Sequence, residues 1–244
     1  MYHITMSIEQ VKSTENLQEK ISCLEAEVTE KNTKILELEE KNAALEKLAS
    51  TDLLTQIDNR RGLEENAKFM LSEKHVSSPD RRPHPEKPRA ISILVLDIDN
   101  FKIINDAFDG GHNDGDRILQ EAAQFLKSHI RANDIVARIG GEEFAIVFHD
   151  FDQAGVMKKF FDETQGRSRL GFMTELEGKQ VPINFSGGVT MVRPDETIEN
   201  LWEAIGRADN ALFKAKEDEM DENGEIKTRG RDRILAFNSD ETKE

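Results

Sequence analysis

Apolar residues between positions 8 and 50 recur at alternating spacings of three and four, the period of an amphipathic helix. In a seven-residue repeat, the β-branched residues Ile21, Val28 and Ile35 share position a. Leucines share position d: Leu17, Leu24, Leu38 and Leu45. This choice favours a parallel two-stranded coiled coil, and Asn42 at position a is typical of residues that fix its register. The pattern predicts residues 1–50 as a parallel coiled-coil stalk that forms a homodimer. The alternative is an amphipathic helix folded back on its own domain.

After Ser50 the pattern alternates between short apolar runs and amphipathic stretches, which is typical of a domain with both strands and helices. Helices are predicted from near Arg60, from about Asp116 to Ile130, from Asp152 to about Gly166, and within residues 197–217. Strands are predicted at residues 90–101, 134–139, 144–148, 181–192 and 233–237. Residues 75–89 contain four prolines and are predicted as a loop. This order predicts an α+β fold with a central mixed β-sheet flanked by helices.

Composition narrows the possible partners. The 244 residues carry a formal net charge of -15. Such an acidic surface repels phosphate backbones and anionic lipids, so we expect no nucleic-acid partner. The single cysteine, Cys23, permits no intrachain disulfide, and the first thirty residues hold no apolar run long enough for a signal peptide or a membrane span. We therefore expect a cytoplasmic protein with no membrane attachment in this chain.

Four carboxylates lie at the ends of predicted strands. Asp97 and Asp99 end the first strand, and their spacing of two puts both on one face. Glu142 and Glu143 lie at the tip of a predicted β-hairpin. If the strand lies beside the hairpin, these carboxylates converge and need a cation, and Mg²⁺ with substrate phosphates suits such oxygen ligands. The pattern favours a metal-dependent nucleotide enzyme, and the alternative is an acidic hairpin exposed to water.

Several ordered motifs resemble those of one known family. The stretch "RIGGEEF" resembles the signature of GGDEF-domain diguanylate cyclases in its Glu variant. "TDLLTQIDNRR", "LVLDIDNFKIIND" and "GHNDGDRIL" resemble the family's earlier motifs, and "INFSGGVT" and "RADNALFKAK" its later ones. The resemblance covers about residues 51–237. It implies that residues 51–244 form a GGDEF domain with a nucleotidyl-cyclase, palm-like fold.

The resemblance also implies a reaction. Two GTP molecules, held by two facing domains, condense to cyclic di-GMP and two pyrophosphates, and each 3′-hydroxyl attacks the α-phosphorus of the other nucleotide. A parallel stalk would bring the two domains together and raise their effective concentration to around millimolar. A change in its register could then act as a regulatory lever.

Individual roles are implied by the same resemblance. Asp97, Glu142 and the Ile98 carbonyl would bind Mg²⁺ or Mn²⁺, and the catalytic residues would be Glu142, Lys102 and Glu143. Asn105 and Asp116 would read the guanine edge, and the carboxylate favours GTP over ATP because it accepts from the N1 and N2 donors. The implied substrate-binding residues are Asn105, His112, Asp116, Gly141, Lys216 and Arg231.

"RAND" matches the family's RxxD inhibitory site, where the product binds through Arg131 and Asp134. Arginine suits this role because its planar fork bonds guanine and phosphate. The alternative is a helix-end arginine and a turn aspartate. For the whole chain, the alternatives to an active cyclase are a catalytically inactive cyclic di-GMP receptor, a coiled-coil scaffold, and a relative that also uses ATP.

Three departures from the family pattern matter. The extra pair Asp109-Gly110 could shift His112 and Asp116. Thirteen residues, 217–229, separate Lys216 from Gly230 where the family usually has two, which weakens the assignment of Arg231. "LTQID" replaces the more usual "LTGL" after the stalk. None of these removes a metal ligand, so we expect catalysis.

Overall fold

The computed structural model describes residues 2–72, 90–108, 112–193, 196–220, 226–228 and 230–237. Within these ranges it describes the backbone alone for residues 2–18, 72, 112, 219–220 and 226–228. The predicted loop 75–89 and the extra Asp109-Gly110 lie outside the described residues. The chain divides into two compact units, residues 1–48 and 49–244, and each is described by itself below.

A single long helix, α1 (Tyr2–Ser50), accounts for the first unit, and the predicted long helix is confirmed. Its apolar side chains are exposed: Ile21 by 49%, Val28 by 54% and Leu24 by 59%. Ion pairs such as Lys31 with Glu27 lie along its surface. The apolar a and d residues from Ile21 to Leu45 are therefore exposed within the described chain, and a coiled-coil partner would cover them. The dimer itself stays a prediction.

The second unit contains five α-helices among its described residues: α2 (Arg60–Ser72), α3 (Phe101–Ala107), α4 (His112–Ser128), α5 (Gln153–Phe160) and α6 (Leu201–Lys216). A one-turn 3₁₀ helix, Ile198–Asn200, precedes α6. The strands are β1 (Ile91–Ile98), β2 (Ile135–Arg138), β3 (Glu143–His149), β4 (Phe161–Asp162), β5 (Arg167–Ser168), β6 (Gly171–Leu176), β7 (Lys179–Met191), β8 (Glu219–Met220), β9 (Ile226–Thr228) and β10 (Ile234–Ala236). No described helix has both the length and the apolar character needed to cross a bilayer.

The main sheet has the strand order β10-β7-β1-β3-β2, with β6 paired to β7 as well. β1 is antiparallel to both neighbours, β3 and β7. β10 is parallel to β7, so the sheet is mixed. The predicted α+β fold with a central mixed sheet is confirmed.

Helices cover both faces of this sheet, which explains why β1 reads as an unbroken apolar run. Leu94 and Leu96 belong to a buried cluster that includes Ile118 of α4. Ile93 and Val95 belong to a second cluster, formed with residues of α2 and α6. Because side chains alternate along a strand, Asp97 continues the second row and emerges on the α6 side.

One predicted helix differs from the structure, and several strands were not predicted. The helix expected from Asp152 to about Gly166 ends at Phe160, and residues 161–168 form the β4–β5 hairpin instead. The Asp162 carboxylate accepts the backbone N–H groups of Thr164 and Gln165, and Gly166 has a φ of 64°. These local bonds close a turn and offer the backbone an alternative to a further helical turn. The prediction also lacked β6 and the short β8–β9 pair in the acidic insertion.

Candidate functional site

Asp97 lies at the end of β1, directly opposite Glu143 of β3 in the strand register. The Ile98 N–H donates to the Glu142 carbonyl over 3.3 Å, which extends the pairing into the hairpin turn. The backbone therefore holds β1 and the turn together, and the structure brings the predicted metal ligands to one edge of the sheet. Both glutamates are partly buried, and Asp97 is only 6% exposed.

Burial and mutual repulsion both disfavour the charged forms of these carboxyls. Burial raises the pKa of Asp97, and the Lys216 ammonium only partly offsets this. Burial raises the pKa of Glu142, and the Asp97 carboxylate raises it further. The pKa of Glu143 is raised by the same two causes in the same order. A cation placed among the three would relieve this repulsion.

Lys216, the last residue of α6, supplies the nearest positive charge. Its Nζ lies 2.6 Å from Asp97 Oδ1 as an ion pair. This ammonium compensates the charge of a carboxylate that is otherwise buried. A divalent cation could take the same place, because buried carboxylate oxygens are ligands that Mg²⁺ prefers.

The residues present fit a magnesium ion that is shared with a nucleotide. No three described side chains of His, Cys, Asp or Glu are arranged to enclose an ion by themselves. Mg²⁺ does not need such a cage, because it commonly binds one or two carboxylates and completes its shell with water and substrate phosphates. Asp97 and Glu142, with the Ile98 carbonyl, would supply the protein's share.

The two glycines of the turn serve different purposes. A methyl group at Gly140 would lie 2.1 Å from Glu143 Oε2, so the glutamate packs over this residue. A methyl group at Gly141 would meet nothing within 4 Å. Neither glycine has a positive φ. Gly140 therefore provides room for Glu143, and the surface at Gly141 is open to an approaching ligand.

Arg138 stabilises the same turn through hydrogen bonds to its backbone. Its Nε and Nη2 donate to the Gly141 carbonyl over 3.1 and 2.7 Å. Its Nη1 lies 3.2 Å from Asp52 Oδ1, and that oxygen also accepts the Thr55 hydroxyl. Burial acts to raise the pKa of Asp52, but the bonds from Thr55 and then the Arg138 charge bring it below its ordinary value. The arginine thus ties the turn to the segment that follows α1.

Asn105 and Asp116, predicted to read guanine, lie on the neighbouring helices α3 and α4. A methyl group at Gly115 would lie 2.2 Å from Asn105 Oδ1, so a larger residue there would displace the Asn105 amide. Asp116 is exposed beside it. His112 begins α4, and its side chain lies outside the described atoms.

The remaining predicted cations differ in placement. Arg231 is exposed, and its N–H donates to the Ala215 carbonyl over 2.8 Å, next to Lys216 in the chain. The Arg231 charge acts to lower the pKa of Asp97, against the larger effect of burial. Lys102 is exposed in the first turn of α3. Among the described residues, Lys216 forms an ion pair with Asp97, whereas Arg231 and Lys102 form no ion pair with a carboxylate.

Comparison with known proteins identifies the family of this chain. The sequence profile described as "Diguanylate cyclase, GGDEF domain" matches residues 49–222. The chain belongs to the GGDEF domain family. Diguanylate cyclase A of Treponema denticola is 31% identical over 176 residues, which cover 72% of this chain and 44% of that protein. A Vibrio cholerae diguanylate cyclase is 32% identical over 76% of this chain and 52% of that protein. The chain spans about half the length of these curated relatives.

Solved structures of GGDEF proteins share the fold. One is the coiled coil and GGDEF domain of DgcB from Caulobacter crescentus in complex with c-di-GMP, at 25% identity and a TM-score of 0.61. The alignment covers 87% of this chain and 98% of the DgcB chain. Another is the diguanylate cyclase SiaD from Pseudomonas aeruginosa in complex with its activator SiaC, at 26% identity and a TM-score of 0.61. That alignment covers 95% of this chain and 79% of SiaD.

The RxxD loop of this GGDEF domain lies between α4 and β2. Asp134 Oδ2 accepts the Arg131 N–H over 2.9 Å, and Oδ1 accepts the His149 N–H over 3.0 Å. Asp134 therefore shapes the loop and ties it to β3. The Arg131 side chain is exposed, with its guanidinium carbon 5.3 Å from the centre of the Phe151 ring.

Two residues of the GGDEF domain, Asp209 and Arg233, were not predicted from the sequence. The negative charge of Asp209 raises the pKa of Asp97, and its spacing of seven before Lys216, which puts both on one helix face, could have indicated this. Asp99 was predicted among the converging carboxylates, but it is buried, and both of its oxygens accept bonds from protein donors. Arg233 is also buried, and it donates to the carbonyls of Ala215, Lys214 and Glu217 at the end of α6. No sequence signal distinguished this cap from a surface arginine.

Proposed function

We propose that the chain is a diguanylate cyclase that condenses two GTP molecules into cyclic di-GMP and releases two pyrophosphates. One observation carries the proposal: Asp97, Glu142 and Glu143 converge with Lys216 at one sheet edge. Family membership and the DgcB complex with c-di-GMP support the choice of nucleotide chemistry. An acidic surface hairpin would not require buried carboxylates whose pKa values are raised by one another.

Asp97 and Glu142, with the Ile98 carbonyl, would hold Mg²⁺ or Mn²⁺. When bound, the ion would neutralise charge on the phosphates and acidify the attacking 3′-hydroxyl. Glu142 would also help to deprotonate that hydroxyl, and Glu143, opposite Asp97 in the strand register, would be a further catalytic residue.

The phosphates would lie between the open face of Gly141 and the two cations Lys216 and Arg231. Lys216 would exchange its contact with Asp97 for one with the nucleotide once another cation satisfies the carboxylate. Lys102, at the start of α3, would stabilise negative charge that grows in the transition state. Because Lys102 makes no contact with the described carboxylates, the nucleotide itself would draw it in.

The guanine base would lie at the contact of α3 and α4. Asp116 would accept from the guanine N1 and N2 donors, Asn105 would bond the same edge, and His112 would contact the substrate nearby. Adenine offers an acceptor where guanine offers the N1 donor, so this pair favours GTP over ATP.

One domain holds one GTP, so the ring closes only when two domains face each other. The exposed apolar seam of α1, around Ile21, Val28 and Ile35, supports a parallel homodimer with residues 1–50 as stalk and 51–244 as cyclase domain. We place this dimer in the cytoplasm. Arg131 and Asp134 would bind the product and inhibit the reaction, because the Arg131 fork is exposed and its loop is fixed.

The test is product formation by the full chain. Wild-type protein incubated with GTP and Mg²⁺ should yield cyclic di-GMP and pyrophosphate, identified by mass spectrometry. The matched control, Glu142→Gln, keeps the size of the side chain and removes its charge, so it should lose at least a hundredfold in rate. If the wild-type protein binds GTP but forms no cyclic di-GMP at any protein concentration tested, the proposal is wrong.

A second candidate, an inactive cyclic di-GMP receptor, is favoured by the separation of Lys102 from the carboxylates. A receptor would need only the exposed Arg131 and the loop held by Asp134. Isothermal titration with cyclic di-GMP separates the two: tight binding that Arg131→Ala abolishes, together with no product from GTP, supports the receptor.

A further inference from the structure

The backbone of Arg231 returns to the end of α6, where its N–H bonds Ala215, although fourteen residues separate Arg231 from Lys216. The backbone there is strained, because Arg231 has a φ of 75° and Asp232 a φ of 51°. Two consecutive non-glycine residues in the left-handed region persist only where the surroundings hold them. The bonds that hold these two residues therefore decide where the Arg231 guanidinium lies.

Three hydrogen bonds, two of them between backbone groups, hold the two strained residues. The Arg231 N–H donates to Ala215 over 2.8 Å, and the Asp232 carbonyl accepts the Ser168 N–H over 2.6 Å. The third bond comes from a side chain: Asp99 Oδ2 accepts the Asp232 N–H over 2.8 Å. Asp99 thus bonds the peptide group that directly follows Arg231.

Asp99 is itself held firmly. Its side chain is 5% exposed, and its Oδ1 accepts the Ser186 hydroxyl over 2.8 Å. Its N–H donates to the Asn184 carbonyl over 3.0 Å. Ser186 lies on β7 directly opposite Asp97 of β1. One buried carboxylate therefore joins the end of β1, the middle of β7 and the loop that carries Arg231.

We propose that Asp99 is a positioning residue that fixes the backbone of Arg231 at the sheet edge that carries Asp97, so that the guanidinium binds the terminal phosphates of GTP. This inference rests on the cyclase function proposed above. Asp99 acts through Arg231 and not on the metal ion, because both of its oxygens already accept bonds from protein donors. The role requires two hydrogen bonds, one with the Asp232 N–H and one with the Ser186 hydroxyl, and a negative charge is not part of it.

That distinction makes two substitutions informative. Asp99→Asn can keep both bonds, since its oxygen can accept the Asp232 N–H while its amide donates to the Ser186 hydroxyl oxygen. Asp99→Ala keeps neither and leaves the Asp232 N–H unsatisfied. A residue that acted on the metal ion through its charge would be damaged by both changes alike.

The experiment measures calorimetric affinities for α,β-methylene-GTP, which cannot react, and for GMP, in the presence of Mg²⁺. Asp99→Ala should weaken binding of the GTP analogue about tenfold and change GMP binding less than about twofold. Asp99→Asn should stay within about threefold of wild type for both ligands. In an Arg231→Ala background, Asp99→Ala should have no further effect, since residues that act as a unit are not additive.

Each outcome decides a different claim. Wild-type protein that binds the analogue no better than GMP, or forms no cyclic di-GMP, sinks the proposed function. Two results with an active wild type would overturn only the role of Asp99. In the first, Asp99→Ala leaves the affinity for the GTP analogue unchanged. In the second, Asp99→Ala weakens that affinity further in protein that already carries Arg231→Ala. If thermal melting shows that Asp99→Ala is unfolded, Asp99→Leu is measured in its place, because leucine fills the space and offers no hydrogen-bond acceptor. If that variant also unfolds, Asp99→Asn decides, and a loss of tenfold or more contradicts the proposal.

Discussion

A substitution at Gly188 of β7 tests how closely α6 packs against the sheet. A methyl group at this residue would lie 1.9 Å from the Ala208 carbonyl oxygen and 2.3 Å from the Leu212 backbone nitrogen. Both are backbone atoms of α6, so no side-chain rotation relieves the contact. Gly188→Ala therefore forces the helix away from the sheet, and Lys216 at its end moves with it.

The size of the effect follows from these contacts. The helix must withdraw by more than about 1 Å, which separates Ala208 and Leu212 from the sheet across a close-packed core. Overpacking of this kind costs about 3 kcal/mol, a large share of the 5–15 kcal/mol by which a domain is stable. The shifted Lys216 should also weaken GTP binding by about tenfold.

Urea unfolding followed by the fluorescence of Trp202 measures the change. Trp202 is the one tryptophan of the chain, and Arg60 lies 3.7 Å from its ring centre, so its signal reports on the second unit. Gly206→Ala in α6 is the matched control, because a methyl group there meets nothing within 4 Å. It should stabilise by about 0.5 kcal/mol through helix propensity. A Gly188→Ala protein as stable as wild type would refute the packing described here.

Three further predictions concern the site and its surroundings. Arg138→Lys keeps the charge and loses the paired bonds to Gly141, so the rate of cyclic di-GMP formation at saturating GTP should fall about tenfold, and an unchanged rate contradicts this. Gly115→Ala drives a methyl group into Asn105, so calorimetry should show GTP binding weakened about tenfold with pyrophosphate binding unaltered. Burial, with a neighbouring carboxylate, raises the pKa of Asp232 from 3.8 to about 6, so its ionisation costs stability as the pH rises between these values. Asp232→Asn should therefore gain about 1 kcal/mol at pH 7.5 and nothing at pH 3.5 in urea unfolding, after allowance for solvent exposure.

The parts of the fold that the sequence predicted are those with strong periodic patterns. β1 is a continuous apolar run, and α2 begins at Arg60 after the Asp58-Asn59 turn, as expected. The end of α5 was wrong because a single side chain, Asp162, closes the chain into a turn. Such a local bond leaves no periodic trace in the sequence.

The site shows the same division. Motif spacing led to Asp97 and Glu142, and the strand register brings them to one edge. It named Asp99 but did not predict its bond to residue 232, and it did not lead to Arg233, which bonds the end of α6. Pairing across such separations depends on the completed sheet and helix packing, so composition and local pattern carry no signal for it.

The central claim, a divalent ion shared by Asp97 and Glu142 with a nucleotide, is tested most directly by counting bound Mn²⁺. Electron paramagnetic resonance of the full chain with α,β-methylene-GTP should show saturable Mn²⁺ binding. Asp97→Asn should weaken it at least tenfold, whereas Glu163→Gln, an exposed carboxylate in the β4–β5 turn, should leave it unchanged. Equal Mn²⁺ binding by the wild type and Asp97→Asn would contradict the account.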